Sequence, residues 1–348
     1  MRQVLIPHHI DPEGPALGGA VHVLSGRTMG TTWSVKLVAG RAPPGPEWTE
    51  GIQARLDTVV AQMSTWEPTS HLGRFNTAPA GSWHDLPPEF LAVLKCAQAV
   101  AQDSEGAYDP TAGALVDLWG FGPTRRHDEA GFRIPSPQAV ADAVATAGWC
   151  RLGLDVPNRR AFQPGGLRLD LSAIAKGYAV DLVMQHLEAR GVRSCMVEVG
   201  GELRGIGVKP DGQPWWVSLE HPDDHLPSAA PSSMHGLRET LVALHGVSVA
   251  TSGDYRRYFE IDGRRHAHTI DPRTGWPAGH RLASVSVVHA ECMVADAWST
   301  ALTVMGVEQG LAAANARGLA ARFVVRDGDA DTLGYTEHLS RPFAAMLS

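Results

Sequence analysis

The chain of 348 residues can form one large domain or two ordinary ones, and its 44% hydrophobic and 19% charged content indicates a folded globular protein, not a disordered one. Its 30 basic and 37 acidic side chains give a formal charge of −7, which argues against a nucleic-acid partner because phosphate backbones are bound by excess positive charge. Any anionic ligand must therefore be met by local positive charge.

The N-terminal segment, residues 1–20, is rich in proline and glycine and is predicted to be a flexible leader before a single domain at 21–348. The apolar run before Pro7 is too short for a signal-peptide core, and no later run approaches the roughly 20 apolar residues of a membrane span. We therefore predict no membrane span and a cytoplasmic protein, or a periplasmic one if a leader has been removed. The four cysteines form no Cys-x-x-Cys pair, so neither a zinc site nor a disulfide framework is predicted.

In chain order, the sequence predicts strands that recur as hairpins and helices that occur in separate blocks. Predicted helices span residues 50–63, 88–104, 137–147, 170–191 and 292–305, and another starts at Glu308. Hairpins are predicted for 21–24 with 33–38, for 240–244 with 247–251, and for 255–261 with 265–270 around Asp262-Gly263. Strands at 194–199, 205–208 and 215–219 are predicted to form a meander, two short strands are predicted around a Pro-Gly-Gly turn between 152 and 171, and single strands are predicted at 283–288 and 321–325. Predicted loops span 63–76, 122–137 and 222–236. The pattern favours an α+β fold over a doubly wound parallel sheet.

The stretch from Asp170 to Gly191 contains an unusual helix start. Its apolar residues recur at helical spacing, Asp170 or Ser172 can cap the start, and Gly191 suits the end. Lys176 lies near the N-terminus, where the helix dipole disfavours a cation, so an anionic group docking beside it would explain its position. A solvated surface lysine is the alternative, and the stretch by itself leaves both open.

Asp296 and Thr300 stand four residues apart in a predicted helix and therefore share one face. A carboxylate and a hydroxyl are hard oxygen ligands, which Mg²⁺ accepts together with backbone carbonyls, water and phosphate oxygens. The alternative is an ordinary acidic residue near a helix start and a threonine that faces its own helix. These two residues alone suggest a magnesium site but do not decide between it and the alternative.

Two histidines, His266 and His268, are predicted on one face of a strand. They could bind zinc, but no third nitrogen or sulfur ligand is spaced nearby, so a zinc site is disfavoured. One histidine acting as a general base or as a hydrogen-bond donor to phosphate fits better. Upstream, Arg256 and Arg257 follow a glycine turn and could bind phosphate or belong to a solvated edge strand.

Eight motifs, in one order between about residue 26 and about residue 306, give the chain a close resemblance to a known family. They are Thr-Met-Gly-Thr-Thr-Trp at 28, Met-Ser-Thr-Trp-Glu-Pro-Thr-Ser at 63, Tyr-Asp-Pro-Thr at 108, Asp-Leu-Ser-Ala-Ile-Ala-Lys-Gly-Tyr-Ala-Val-Asp at 170, Val-Gly-Gly at 199, Ser-Gly-Asp-Tyr at 252, His-Thr-Ile-Asp-Pro-Arg-Thr-Gly at 268 and Ala-Asp-Ala-Trp-Ser-Thr-Ala at 295. With them the chain resembles the ApbE family, the FAD:protein FMN transferases. Eight ordered matches are specific, whereas a single motif such as Gly-Gly would not be.

The resemblance implies an ApbE-like (T-fold-like) α+β architecture in which helices pack on antiparallel sheets. It also implies an enzyme that takes FAD as substrate with Mg²⁺, transfers FMN to a Thr or Ser hydroxyl of a target flavoprotein, and releases AMP. The acceptor protein would carry a motif of the Ser/Thr-Gly-Ala-Thr type. Two alternatives stay open: a Mg²⁺-dependent FAD pyrophosphatase, which would use the same site, and a non-catalytic flavin-binding protein.

The family's functional residues carry over position by position. The resemblance implies catalytic roles for His268, as acceptor of the hydroxyl proton, and for Lys176 and Asp296. It implies Mg²⁺ ligands at the carbonyl of Ala173 and the side chains of Asp296 and Thr300. The implied flavin contacts are Met29, Trp66, Ala107, Tyr108, Asp109, Asp170, Lys176 and Thr269, with flat ring surfaces offered by Trp66 and Tyr108. The chain departs from the family pattern at His71, Ser172 and Glu202, none of them a predicted metal ligand.

Overall fold

The computed structural model describes residues 3–7, 19–222, 237–255, 257–261, 264–279, 281–327 and 334–347. Its strands are β1 (Gln3–Leu5), β2 (Ala20–Thr28), β3 (Thr31–Ala39), β4 (Ser82–Asp85), β5 (Gly153–Asp155), β6 (Arg160–Gln163), β7 (Cys195–Val199), β8 (Glu202–Ile206), β9 (Trp215–Ser218), β10 (Thr240–Leu244), β11 (Val247–Gly253), β12 (Tyr258–Ile261), β13 (Arg264–Ala267), β14 (Leu282–His289), β15 (Ala320–Asp327) and β16 (Gly334–Leu339). Its α-helices are α1 (Pro46–Met63), α2 (His71–Asn76), α3 (Pro88–Asp103), α4 (Gly113–Leu118), α5 (Pro137–Thr146), α6 (Ala175–Ala189), α7 (Cys292–Arg317) and α8 (Arg341–Ala345).

Eight strands form one antiparallel sheet in the order β16-β15-β14-β11-β8-β7-β3-β2. Because side chains alternate along a strand, neighbouring residues belong to different cores. Val287 of β14 packs in the core beneath α1, α3, α6 and α7, whereas Val288 packs in a second core on the opposite face. Helices packed on an antiparallel sheet confirm the predicted α+β fold.

A small sheet of β1, β10 and β9 contributes to the second core. β1 runs parallel to β10, so the prediction of a flexible leader is wrong for Gln3–Leu5, while residues 8–18 lie outside the described part of the chain. β9 and β10 pair with each other, so β9 does not continue the main-sheet meander and β10 forms no hairpin with β11. Strand periodicity predicts that a segment is extended but does not identify its partner.

Two local predictions in the first half of the chain are wrong. Residues 156–159 connect β5 to β6, whereas the Pro-Gly-Gly predicted at their turn follows β6. The predicted loop at 63–76 contains α2, which starts after Ser70 because the Ser70 hydroxyl accepts the Gly73 N–H at 2.8 Å. Because α2 has only six residues and few apolar positions, its sequence shows no clear helical periodicity.

Other predictions hold in the second half. β12 and β13 pair as an antiparallel hairpin around Asp262-Gly263, which lie outside the described residues. Gly306 interrupts the helical dihedral angles of α7 with a φ of 75°, as predicted, although α7 continues beyond it. The loop predicted at 222–236 falls, except for Pro222, on residues that the structure does not describe. Within the described ranges, no helix is long and apolar enough to cross a membrane.

The role of β1 can be tested by truncating its buried side chain. Leu5 is 0% exposed in the second core, so we expect Leu5→Ala to lower the free energy of unfolding by about 2–5 kcal/mol. Val23 on the edge strand β2 is 61% exposed, so Val23→Ala should change it by less than about 0.5 kcal/mol. Urea unfolding followed by tryptophan fluorescence measures both, and equal effects would show that β1 contributes nothing to the core.

Candidate active site

One cavity of about 900 Å³ gathers segments from eight parts of the chain, beside the N-terminal end of α6 and the stretch of α7 that holds Asp296 and Thr300. Every residue predicted as a flavin contact, metal ligand or catalytic residue lines it: Met29, Trp66, Ala107, Tyr108, Asp109, Asp170, Ala173, Lys176, His268, Thr269, Asp296 and Thr300. The cavity therefore brings together the predicted flavin contacts, metal ligands and catalytic residues, although they come from positions 29 to 300.

The two helices meet at Gly177. The Gly177 N–H donates to Oδ2 of Asp296 at 2.9 Å, and Asp296 is buried on α7. A Cβ atom at position 177 would lie 2.4 Å from the Cys292 carbonyl oxygen and 2.8 Å from the Asp296 Cβ. Only glycine therefore permits this approach, and the glycine in the first turn of α6 was a signal that sequence reasoning left unused.

Lys176 points into the cavity and is held by acidic groups. Its Nζ lies 2.5 Å from Oε1 of Glu202 and 3.9 Å from Oδ1 of Asp296. The lysine side chain is 30% exposed, so the solvated surface lysine considered above is wrong. Glu202 is 2% exposed and lines the cavity, and sequence reasoning noted it only as a departure from the family pattern.

In the turn before α6, the Ala173 carbonyl does not take part in the hydrogen bonds of the helix. The Ile174 and Ala175 N–H groups both donate to the Leu171 carbonyl. The Gly177 N–H, four residues after Ala173, donates to Asp296 instead of to the Ala173 carbonyl. Among the described residues no donor bonds to the Ala173 carbonyl, which lies on the cavity wall.

Asp170 caps this turn and not the helix. Its Oδ1 accepts the Ser172 N–H at 2.8 Å and the Ser172 hydroxyl, while α6 starts after Ile174 with no side-chain cap of its own. The predicted helix start at 170 is therefore wrong, because this local side-chain hydrogen bond holds a turn in place of helix. Burial raises the pKa of Asp170, and the hydrogen bonds from Ser172 oppose the shift.

Polar contacts also fix the cavity face of α7. Burial raises the pKa of Asp296, and the Lys176 ammonium and the Gly177 N–H oppose that shift. The Thr300 hydroxyl lies 3.0 Å from the hydroxyl of Ser252 on β11, which in turn lies 2.7 Å from Ser299. One carboxylate oxygen of Asp296 and the Thr300 hydroxyl thus share the cavity wall with the Ala173 carbonyl, a set of hard oxygen donors suited to Mg²⁺.

The turn at 107–109 is built around a buried carboxylate. Asp109 accepts hydrogen bonds from the Thr111 N–H at 2.8 Å and from the Trp149 N–H at 3.0 Å. Burial raises the pKa of Asp109, and these hydrogen bonds oppose the shift. Tyr108 is 3% exposed, and burial raises its pKa well above the usual value; Trp66 is 52% exposed. Of the two aromatic side chains, Trp66 therefore offers the broad accessible ring.

The two histidines have separate environments. His268 lines the cavity, and its Nδ1 lies 3.0 Å from the Arg257 carbonyl. Because a carbonyl only accepts, Nδ1 carries the hydrogen, and in the neutral imidazole the basic lone pair is on Nε2. His266 instead stacks between Phe259 and Trp119, with ring centroids 5.0 and 5.6 Å away.

The part of the chain that the structure describes contains no group of three or more His, Cys, Asp or Glu side chains that could hold a metal ion. Arg257 lines the cavity, which favours the phosphate alternative for this residue over a solvated edge strand; Arg256 lies outside the described residues.

The sequence matches the model of the ApbE family over residues 29–323. The chain belongs to the ApbE family. It is 37% identical over 329 residues to the FAD:protein FMN transferase of Vibrio cholerae, covering 93% of this chain and 92% of the relative. It is 39% identical over 309 residues to the FAD:protein FMN transferase of Haemophilus influenzae, covering 87% and 86%.

Solved ApbE structures share the fold. The apo form of the Pseudomonas stutzeri flavinyl transferase ApbE superposes with a TM-score of 0.82 at 39% identity, covering 97% of this chain and 98% of that one. The flavin transferase ApbE from Vibrio cholerae superposes with a TM-score of 0.81 at 35% identity, covering 94% and 99%. The predicted ApbE-like architecture is thereby confirmed.

The contact at Gly177 yields a stability prediction for this ApbE-family chain. Gly177→Ala should lower the free energy of unfolding by about 1–3 kcal/mol, because the added methyl group would meet rigid backbone of α7. In the control Gly51→Ala on α1, the methyl group would meet only the ends of the His186 and Arg190 side chains, which can move. The higher helix propensity of alanine should therefore leave stability unchanged or slightly higher. Thermal unfolding compares the variants, and a Gly177→Ala protein as stable as Gly51→Ala would contradict the close helix contact.

Proposed function

We propose that this chain is an FAD:protein FMN transferase that binds FAD in the cavity at the starts of α6 and α7. The observation that carries the proposal is the convergence of Lys176, Asp296, Thr300 and His268 on one cavity large enough for a dinucleotide. Relatives that cover more than four-fifths of the chain are FAD:protein FMN transferases, which supports the same reaction.

In the proposed reaction, a Ser or Thr hydroxyl oxygen of the acceptor forms a bond to the FMN phosphorus. The bond between that phosphorus and the bridging oxygen of the pyrophosphate breaks, and the bridging oxygen leaves with AMP. The hydroxyl proton passes to Nε2 of His268, which is the basic nitrogen because Nδ1–H donates to the Arg257 carbonyl. Atoms balance without a further reactant.

Lys176 and the N-terminus of α6 oppose the charge of the pyrophosphate. The first residues of α6 line the cavity, so the helix dipole adds positive potential to the lysine charge. Glu202 holds the ammonium at 2.5 Å and so fixes where the lysine charge lies. We propose that Lys176 contacts a phosphate oxygen of FAD.

A Mg²⁺ ion fits the oxygen donors on the same wall. The Ala173 carbonyl, which no described donor satisfies, and the side chains of Asp296 and Thr300 would hold it. When bound, the ion would supply charge neutralisation at the pyrophosphate. Met29, Trp66, the turn at 107–109, Asp170 and Thr269 remain the proposed flavin and nucleotide contacts.

The acceptor is proposed to be a flavoprotein segment with a Ser/Thr-Gly-Ala-Thr-like motif, presented at the open side of the cavity. Transfer in the cytoplasm remains a proposal that fractionation of cells expressing the native gene would test.

The reaction is tested by incubating the protein with FAD, Mg²⁺ and an acceptor domain that carries the motif. We expect a covalent fluorescent acceptor band and an equal amount of AMP. His268→Gln should lower the transfer rate by about 10²–10⁴-fold while FAD affinity is retained, because only proton acceptance is lost. The control His22→Gln, on β2 and outside the cavity lining, should transfer at the wild-type rate.

Product analysis decides between the proposed function and its rival. FMN and AMP released at the same rate with and without acceptor, and no covalent band, would identify a pyrophosphatase. An unchanged transfer rate in His268→Gln would remove the histidine from the proposed mechanism while leaving the transferase function intact.

A further inference from the structure

The helices α6 and α7 start beside each other, and neither provides its own cap. The residues before them, Ile174 and Glu291, make no side-chain capping hydrogen bond. The first N–H groups of a helix have no partner within it and need acceptors from elsewhere when they are buried. Both starts lie in the main core, so these acceptors must come from the protein.

Each helix caps the other with a buried carboxylate. Asp181 of α6 accepts the Cys292 N–H at 3.1 Å on Oδ1 and the Met293 N–H at 2.9 Å on Oδ2. In return, Asp296 of α7 accepts the Gly177 N–H at 2.9 Å. The exposed fractions of Asp181 and Asp296 are 5% and 3%, so both capping carboxylates are buried.

The sheet supports this arrangement from β8. Arg204 on β8 lies 2.5 Å from Oδ1 of Asp181, and Glu202, two residues earlier on the same strand, lies 2.5 Å from Lys176. Residues two apart in a strand point to the same side, so one face of β8 holds both acid–base pairs with α6. The pair at Lys176 lies in the cavity, whereas Asp181 and Arg204 are not among the residues that line it.

We infer that Asp181 is a positioning residue for the proposed metal ligands, a role that rests on the proposed function of the cavity. Asp181 cannot touch FAD or a metal ion because it lies outside the cavity. It holds the N–H groups of the first two residues of α7, and Asp296 follows Cys292 by about one helical turn. Losing these bonds lets the first turn of α7 loosen, and Asp296 then loses its fixed place beside Gly177 and the cavity.

The inference is tested by Mn²⁺ titration of the full chain with FAD above saturation and no acceptor, with the free ion followed by electron paramagnetic resonance. Asp181→Ala should raise the Mn²⁺ dissociation constant by about 10–100-fold, the usual cost of losing a residue that orients a metal ligand. FAD affinity measured without metal should stay close to the wild-type value. Asp181→Asn, whose amide oxygen still accepts a backbone N–H, should give a smaller increase and serves if Asp181→Ala does not fold.

A matched control separates positioning from general stability. Glu337 pairs with the buried Arg322 at the β15–β16 edge, away from the cavity lining, so Glu337→Gln, like the Asp181 variants, leaves an arginine without its carboxylate. It should lower the melting temperature without changing the Mn²⁺ dissociation constant. Wild-type Mn²⁺ affinity in both Asp181 variants, equal weakening in Glu337→Gln, or no Mn²⁺ binding by the wild type would each overturn the inference.

This measurement is independent of FMN transfer. A wild-type protein that binds Mn²⁺ with FAD but fails to modify any acceptor would overturn the proposed function, and the comparison between Asp181→Ala and Glu337→Gln would still decide the positioning role.

Discussion

The hydrogen bond from Gly177 to Asp296 is the contact on which the cavity depends. It requires that α7 approach α6 so closely that no side chain fits at position 177. It also withdraws the Gly177 N–H from the Ala173 carbonyl, so a backbone oxygen remains on the cavity wall. A single bond thus sets the spacing of two helices and leaves oxygen donors from both of them on one surface.

The charges of the cavity favour the binding of a cation beside an anionic substrate. Asp109, Asp170, Glu202 and Asp296 all line it, against the cationic side chains of Lys176 and Arg257. Burial raises the pKa values of three of these carboxyls, Asp109, Asp170 and Asp296, which shows that the desolvated charges are costly without further compensation. A divalent ion would offset the Asp296 carboxylate and the pyrophosphate at once, while the N-terminus of α6 adds positive potential.

Sequence reasoning singled out residues that line the cavity, through local patterns and through the motifs of the family. Asp296 and Thr300 share a helix face by spacing alone, and Lys176 stood out because a cation is disfavoured at a helix start. The residues it missed act across tertiary contacts. In the sequence, Asp181 is an ordinary acidic residue of a helix. Its role is visible only in the folded chain, where it accepts hydrogen bonds from the Cys292 and Met293 N–H groups.

The same limit applies to the fold. Strand periodicity identified β9, β10 and β11 but could not give their partners, and β1 pairs with β10 across most of the length of the chain. The start of α6 was misplaced because Asp170 has the features of a helix cap but bonds within its own turn. Pairing partners and competing local hydrogen bonds are decided by packing, which a single sequence does not display.

The most direct test of the central claim is anomalous diffraction from crystals grown with FAD and Mn²⁺. The account predicts one Mn²⁺ peak bounded by the Ala173 carbonyl and the side chains of Asp296 and Thr300, with the FAD pyrophosphate between that ion and Lys176. A peak at Asp109 and Asp170, or a pyrophosphate remote from the starts of α6 and α7, would contradict it.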